Sequence, residues 1–403
     1  MRHAFVHLPP VKFCDLTQFY SPFSGGVKRY VGEKVRFLKD RGRGDEHILI
    51  IPGEMDACVG DEGARVYTIQ SPLISRTSRY RVLLRLEAIE RILEKESPDI
   101  IESGDPYQVA WKAVHSGAAL GIPVVAFYHS HFPEAYIRTV RKYLGVTVTE
   151  AFMDFARRYV RNLYNRFERT IVPSPALRDV LSEWGVRQEK LFHSDLGVDT
   201  TIFNPAVKGE PNVRAQLGIR PDATLLLYVG RLAQEKNTHT LFRAFDRVAN
   251  GPGKYHLLVV GEGLQRTELN DLMQRHPEEV SHLPYCADPE GLASLYRATD
   301  LFVHPGVQET FGLVTLEAQA CGTPVVGIHG SYMDRIIHND QTLWARENSA
   351  DALAEAIQQT VNAKLKHDPQ ALHRLVAAQY SWDQVFTRLF DLYRQVVANY
   401  RRP

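Results

Sequence analysis

Short apolar runs alternate with longer, helix-like stretches along most of the 403-residue chain. In the first half the runs read as strands at His3–Leu8, His47–Ile51, Asp99–Glu102, Pro123–Tyr128 and Thr170–Pro173. In the second half they fall at Thr224–Val229, His256–Val260, Asp300–His304 and Pro324–Ile328. Helices fit between them, for example at Val27–Lys39, Arg81–Lys95, Thr238–Val248 and Pro289–Ala298. Such alternation predicts parallel sheets flanked by helices, an α/β class. The segment from Asp199 to Arg214 has little hydrophobicity and two prolines, Pro205 and Pro211, and reads as a linker. The chain also exceeds what one core usually organises. Two doubly wound, Rossmann-like domains are therefore expected, over residues 1–204 and 205–381.

Composition adds exclusions. With 44% hydrophobic and 24% charged residues the chain has the make-up of a soluble globular protein. Its 48 basic and 47 acidic residues leave a formal charge of +1, so no global attraction to nucleic acid is expected. Cys14, Cys58, Cys286 and Cys321 are far apart and form no C-x-x-C pair, which argues against a zinc site or a disulfide framework. The N-terminus lacks a signal peptide's apolar core, and no apolar run approaches the ~20 residues that span a bilayer. A cytoplasmic protein, at most peripheral to a membrane, is the expectation.

Open parallel sheets bind ligands at the carboxyl ends of their strands. One loop there is Val229-Gly230-Arg231-Leu232-Ala233-Gln234-Glu235-Lys236-Asn237. Its two cations can converge on a phosphate, Arg231 as a planar fork and Lys236 as a point charge. The bland alternative is a solvated loop in which Glu235 pairs with a neighbour. A second loop, Gly306 to Glu317, places Glu309 before a helix starting near Gly312 and Glu317 two turns inside it. Free amides there favour phosphate, and the carboxylates suit vicinal sugar hydroxyls. The bland alternative is an ordinary helix start.

Together these loops suit a diphosphate held between two sugars. Gly230-Arg231-Leu232-x-x-Glu235-Lys236-Asn237, Glu309-x7-Glu317 with Phe311-Gly312-Leu313 between, and the run Glu317 to Val326 closely resemble the donor motifs of the retaining GT-B glycosyltransferases of family 4. The resemblance extends over nearly the whole chain. Ser24-Gly25-Gly26-Val27 resembles the family's glycine-rich turn near the phosphates. His129 stands where the family commonly has an active-site histidine; His131 is a less defined candidate. Leu196 replaces the family's usual Asn before Gly-Val-Asp, which removes any side-chain role expected there.

The resemblance implies a GT-B fold with two domains facing a central cleft, the first binding acceptor and the second binding donor. A final helix over about 382–403 would pack back towards the first domain. It implies metal-independent transfer of a hexose with retention, and no Asp-x-Asp motif is present. Arg231 and Lys236 would neutralise the departing diphosphate with amides around Phe311, Gly312 and Leu313. Glu309 would fix the sugar, Glu317 the ribose, Tyr285 would line the base pocket, and Gly25 and Gly26 would lie near the phosphates. His129 would orient the sugar or stabilise its cationic centre. UDP-sugars are placed first as donors and GDP-mannose next, no cofactor is required, and the acceptor is a lipid, sugar or other glycoconjugate. Arginines with interleaved aromatics, Arg138, Arg141, Arg157, Arg158, Arg161, Arg166 and Arg169 among them, suggest contact with an anionic membrane, a phosphorylated acceptor or simply a solvated helix face.

Three rival readings remain. A dinucleotide oxidoreductase is disfavoured because Val260-Gly261-Glu262-Gly263-Leu264-Gln265-Arg266 has Arg at the third glycine. A GT-B phosphorylase or epimerase, and a non-catalytic nucleotide-sugar binder, share the expected architecture.

Overall fold

The computed structural model describes residues 9–20, 26–41, 44–61, 63–74, 80–129, 150–205, 212–284, 286, 288–307, 311–363 and 368–400. Contacts divide the chain into two compact units, Met1–Asp195 with Val385–Pro403, and Leu196–Gln384. The second unit starts before the weakly hydrophobic segment ends, because Val198 and Phe203 are buried in its core. Val198 also exchanges backbone hydrogen bonds with Tyr380 and Trp382.

The first unit holds β1 (Lys12–Leu16), β2 (Glu46–Gly53), β3 (Ala57–Asp61), β4 (Ala64–Gln70), β5 (Ile100–Ser103), β6 (Val124–Phe127), β7 (Thr170–Val172) and β8 (Leu191–His193). They form one sheet in the order β3-β4-β2-β1-β5-β6-β7-β8, parallel except for the β3–β4 pair. Its helices are α1 (Gly26–Arg41), α2 (Leu86–Glu96), α3 (Gln108–Leu120), α4 (residues 150–164) and α5 (Pro175–Glu183). The expected strand at His3–Leu8 lies outside the described residues. β1, β3, β4 and β8 were not expected: β4, Ala64-Arg65-Val66-Tyr67-Thr68-Ile69-Gln70, mixes polar with apolar because it runs near a sheet edge. α2 starts later than Arg81 because Arg81 forms a β-bridge with Leu73.

The second unit holds β9 (Thr224–Val229), β10 (Tyr255–Val260), β11 (Val280–Leu283), β12 (Leu301–Val303) and β13 (Val325–Val326), all parallel in the order β11-β10-β9-β12-β13. Its helices are α6 (Val213–Gln216), α7 (Thr238–Ala249), α8 (Arg266–Arg275), α9 (Pro289–Ala298), α10 (Leu313–Ala320), α11 (Ala350–Asn362) and α12 (Pro369–Tyr380). Burial on both faces explains why β9 and β10 read as unbroken apolar runs.

The last helix, α13 (Trp382–Asn399), lies on the first unit's core. Its Phe390 ring meets Phe13 edge-on at 4.5 Å and stacks on Phe37 at 5.5 Å. Arg394 pairs with buried Asp45, whose other oxygen accepts from the Val11 amide at 2.8 Å. Among the described residues no helix is long and apolar enough to cross a membrane.

Each sheet reverses its winding once. The chain fills one side of β1 with β2 and the other with β5, and one side of β9 with β10 and the other with β12. A crevice at the carboxyl ends of such a strand pair is where open α/β sheets take ligands.

Candidate active site

In the second unit the crevice lies between the loops after β9 and β12. The first carries Arg231 and Lys236. Arg231 is 72% exposed and meets Glu235 at 3.1 Å, so the local pairing foreseen for this loop is present. Lys236 is half-buried in a short 3-10 turn over Gln234–Lys236. The loop is braced from the β10 side. Leu232 donates its amide to the Glu262 carbonyl at 2.9 Å and accepts from Gln265 at 2.9 Å. A Cβ on Gly261, where φ is +135°, would fall 2.0 Å from the Gly230 oxygen, and one on Gly263 would fall 2.3 Å from the Leu232 oxygen. The glycines that resembled a dinucleotide signature therefore serve close packing against the cation-bearing loop.

Asn237, at φ +57°, joins the two loops. Its side-chain amide donates to the Pro305 carbonyl and to Asn348 Oδ1, both at 2.8 Å. Past β12 the chain enters α10 through Gly312 at φ +82°. A Cβ there would lie 2.3 Å from Met333 Sδ, so glycine is required by both conformation and space. The Thr315 hydroxyl and amide both bond the Gly312 carbonyl, at 2.6 and 3.0 Å. Phe311 is buried against Tyr380, leaving the first amides of α10, including that of half-buried Leu313, as the positive end of the helix. Glu317 is 2% exposed and accepts from the Tyr296 hydroxyl at 3.0 Å.

In the first unit the crevice lies between Thr17–Gln18 after β1 and Gly104–Asp105 after β5, with His129 following β6. Asp105 spans it: Oδ2 accepts from the Gln18 amide at 2.7 Å, with the Thr17 hydroxyl also near its carboxyl group. Its Oδ1 is buried without a hydrogen-bond partner. Burial pushes this carboxyl up to about 7 against the pull of those donors. His129 stacks on Phe127 at 4.2 Å and meets Tyr30 edge-on at 5.2 Å. Burial, then the Lys34 cation, push its imidazole down to about 3, opposed by Asp15, so the ring is neutral at physiological pH.

Beneath this floor lies a buried ionic cluster. Lys34 donates to Asp15 at 2.8 Å and Glu102 at 2.7 Å, and His47 bonds the other Asp15 oxygen at 2.6 Å. Tyr30 and Tyr393 also donate to Glu102. Burial opposes the charge on Asp15, yet Lys34 and His47 hold it well below the usual carboxylate range. Burial lowers Lys34, but its two carboxylates outweigh that and raise it. Glu102 goes up, by burial and by the charge of Asp15.

Of the residues singled out from sequence, Arg231 and Lys236 lie on the loop after β9, and Phe311, Gly312, Leu313 and Glu317 lie at the entry and in the first turns of α10, with Phe311 and Glu317 buried. Gly26 opens α1, one turn before the Tyr30 that meets His129, and a Cβ added to it would meet no atom within 4 Å. Gly25, Tyr285 and Glu309 lie outside the described residues. Asp105 and the Lys34 cluster were missed. Gly104-Asp105-Pro106 reads as an ordinary turn, and only the adjacency of β1 and β5 buries its carboxyl.

The family described as glycosyl transferases group 1 matches residues 209–381, and glycosyltransferase family 4 matches residues 24–202. A GDP-mannose-dependent alpha-mannosyltransferase of Corynebacterium glutamicum is 28% identical over 329 residues, 79% of this chain and 72% of that protein. A GDP-mannose-dependent alpha-(1-6)-phosphatidylinositol dimannoside mannosyltransferase of Mycobacterium tuberculosis is 26% identical over 379 residues, 93% of each chain. Among solved structures, sucrose-phosphate synthase from Thermosynechococcus elongatus superposes with a TM-score of 0.75 at 22% identity, covering 96% of this chain and 99% of that one. With both domain families matched in order and the two-sheet architecture in place, this chain belongs to family 4 of the glycosyltransferases and has the GT-B fold.

Proposed function

We propose that the chain moves a hexose from a nucleoside-diphosphate sugar to a hydroxyl of a lipid or other glycoconjugate, with retention and without a metal ion or cofactor. The observation that carries this reading is the crevice between β9 and β12, where Asn237 ties the Arg231–Lys236 loop to the entry of α10. Cations and helix amides together suit a diphosphate leaving group, and preorganised charge there is the strongest aid to breaking an anomeric carbon–oxygen bond. The sequence placed UDP-sugars ahead. Similarity to two GDP-mannose-dependent relatives is the reason to put GDP-mannose first and UDP-sugars second.

In this reading Arg231 and Lys236 neutralise the departing diphosphate and the first amides of α10 bind its oxygens. Glu309 fixes the sugar hydroxyls, Glu317 the ribose and Tyr285 the base, while Gly25 and Gly26 leave room for the phosphates. The leaving phosphate takes the acceptor's proton on the same face that the acceptor attacks. His129, already neutral and weakly basic, orients the sugar rather than removing that proton. The protein would work in the cytoplasm, against the inner face of a membrane when its acceptor is a lipid.

A thermal-shift panel of GDP-mannose, UDP-glucose and ADP-glucose in EDTA tests this, followed by turnover with the stabilising donor. GDP-mannose is expected to raise Tm most, and the product is expected to keep the donor's anomeric configuration by NMR. Stabilisation that appears only when magnesium is restored would overturn metal independence. Donor binding with phosphorolysis or epimerisation in place of transfer would move the chain to one of the other GT-B activities.

A further inference from the structure

The Asp105 carboxyl is only half satisfied. Its Oδ2 takes the Gln18 amide at 2.7 Å, whereas Oδ1 is buried with no hydrogen-bond partner among the described residues. The residue as a whole is 2% exposed. An orphaned buried acceptor carries its full desolvation penalty, so folded chains keep few of them unless a water or a ligand completes the bond. The position is also the one where a ligand is expected, because β1 and β5 are the strands at which the first sheet reverses its winding.

Aromatic rings gather beside this carboxyl. Phe19 meets Tyr107 at 5.7 Å and Tyr80 at 5.9 Å, both edge-on, and all three are half-buried. The Gln108 side-chain amide donates to Gln18 Oε1 at 2.8 Å and to the Leu83 carbonyl at 3.2 Å, which fixes the loop after β1 against the start of α3. On the other side of Asp105, a Cβ added to Gly104 would lie 3.4 Å from His129 Cδ2. The loop that carries Asp105 thus meets the aromatic cluster through Tyr107 and approaches the His129 ring through Gly104.

A carboxyl oxygen accepts from a hydroxyl, and aromatic rings cover the C–H face of a sugar or cyclitol while a few polar groups orient it. An anion would find little here among the described residues. Asp105 is acidic, His129 is neutral, and the Lys34 ammonium beneath is held by Asp15 at 2.8 Å and Glu102 at 2.7 Å. A phosphate brought beside Asp105 would meet a like charge.

We infer that this crevice binds the acceptor through an uncharged sugar or cyclitol ring, one hydroxyl of which donates to Asp105 Oδ1 while its apolar face lies against Phe19 and Tyr107. Asp105 then determines specificity, selecting a neutral ring over a phosphorylated one. The inference deepens the proposed transfer reaction and rests on it for the acceptor's role, but ring binding is read without turnover.

Saturation-transfer NMR of the full chain with methyl α-D-mannopyranoside, methyl α-D-glucopyranoside, myo-inositol and mannose 6-phosphate tests it. At least one neutral probe is expected to bind, and mannose 6-phosphate to bind more weakly than the methyl mannoside. In Asp105→Asn the Gln18 amide holds the new carbonyl oxygen, so an NH2 group takes the place of Oδ1 and affinity for the neutral probe should fall about tenfold. Phe19→Leu keeps an apolar side chain but removes the ring, and should lower the same affinity about threefold. Neither residue is assigned to the donor, so the donor-induced thermal shift of both variants should match the parent and report that they fold. Absence of binding by every neutral probe overturns the inference, and so does tighter binding of mannose 6-phosphate. Affinity unchanged in both variants also overturns it, by placing the ring elsewhere and leaving a buried water on Oδ1. Ring binding that both variants weaken, in a chain that no nucleotide sugar stabilises, would keep the subsite and sink the donor reading.

Discussion

Asp105 shows how one side chain can carry a pH dependence. Its folded-state carboxyl stands at about 7 against an ordinary value of 3.8, so the fold favours its neutral form. Below pH 3.8 both folded and unfolded chains hold the proton and nothing is lost. As pH rises towards 7 the unfolded chain ionises first, and stability falls by on the order of 4 kcal/mol once the folded group also ionises. Asp105→Asn removes that term. Denaturation followed from pH 5 to pH 8 should show the variant gaining steadily on its parent, and parallel curves would discard the idea. In the proposed reaction Arg231 and Lys236 act through charge in a different way. A unit charge pair at about 4 Å and an effective dielectric near 20 is worth ~4 kcal/mol, so either alanine variant should lower turnover by roughly two orders of magnitude. Exposed Arg231, already paired with Glu235, should lose less than half-buried Lys236. The double variant should approach background; steady-state kinetics with the stabilising donor reads all three. The type and spacing of these cations were legible in the sequence because both fall in one short loop after an apolar strand. Asp105 was not, because nothing local to Gly104-Asp105-Pro106 marks it as buried.

At the scale of elements, the second motif works because a helix must start where a strand has just ended. Gly312 turns the chain through a left-handed conformation, and Met333 fills the space any larger residue would need. The spacing of Glu309 and Glu317 was readable, but the burial of Glu317 against Tyr296 was not, since α9 supplies that partner. The last helix gives the opposite lesson. Its place came from the family resemblance, and its packing depends on Phe390 lying between Phe13 of β1 and Phe37 of α1. Phe390→Ala should cost about 3–5 kcal/mol, read as an earlier urea transition. A fluorescence transition unmoved by the change would show that α13 adds little to the first unit's core.

For the whole molecule, the division after Asp195 and before Val385 makes the second unit one continuous stretch, with its core residues running from Val198 to Tyr380. Both loops of the proposed donor crevice lie inside that stretch. Residues 196–384 expressed alone are therefore expected to fold and to be stabilised by GDP-mannose in calorimetry, without transferring sugar. An excised piece that melts cooperatively but ignores every donor would place donor recognition partly on the first unit. The first unit, by contrast, is discontinuous and needs α13 to cover Phe13 and to complete the bonding of Glu102 and Asp45.

Sequence by itself determined the alternation of strands and helices, the two α/β units and the chemistry of the loops after β9 and β12. Those features are local: hydrophobic period, glycine where the backbone turns, cations and carboxylates at set spacing. Tertiary structure alone decided the β3–β4 hairpin, the role of Gly261 and Gly263 as packing for the Arg231 loop, the ionic cluster around Lys34 and the orphaned oxygen of Asp105. Each of these depends on which strands become neighbours. That is a matter of burial shared between distant segments, and no window of sequence contains both partners.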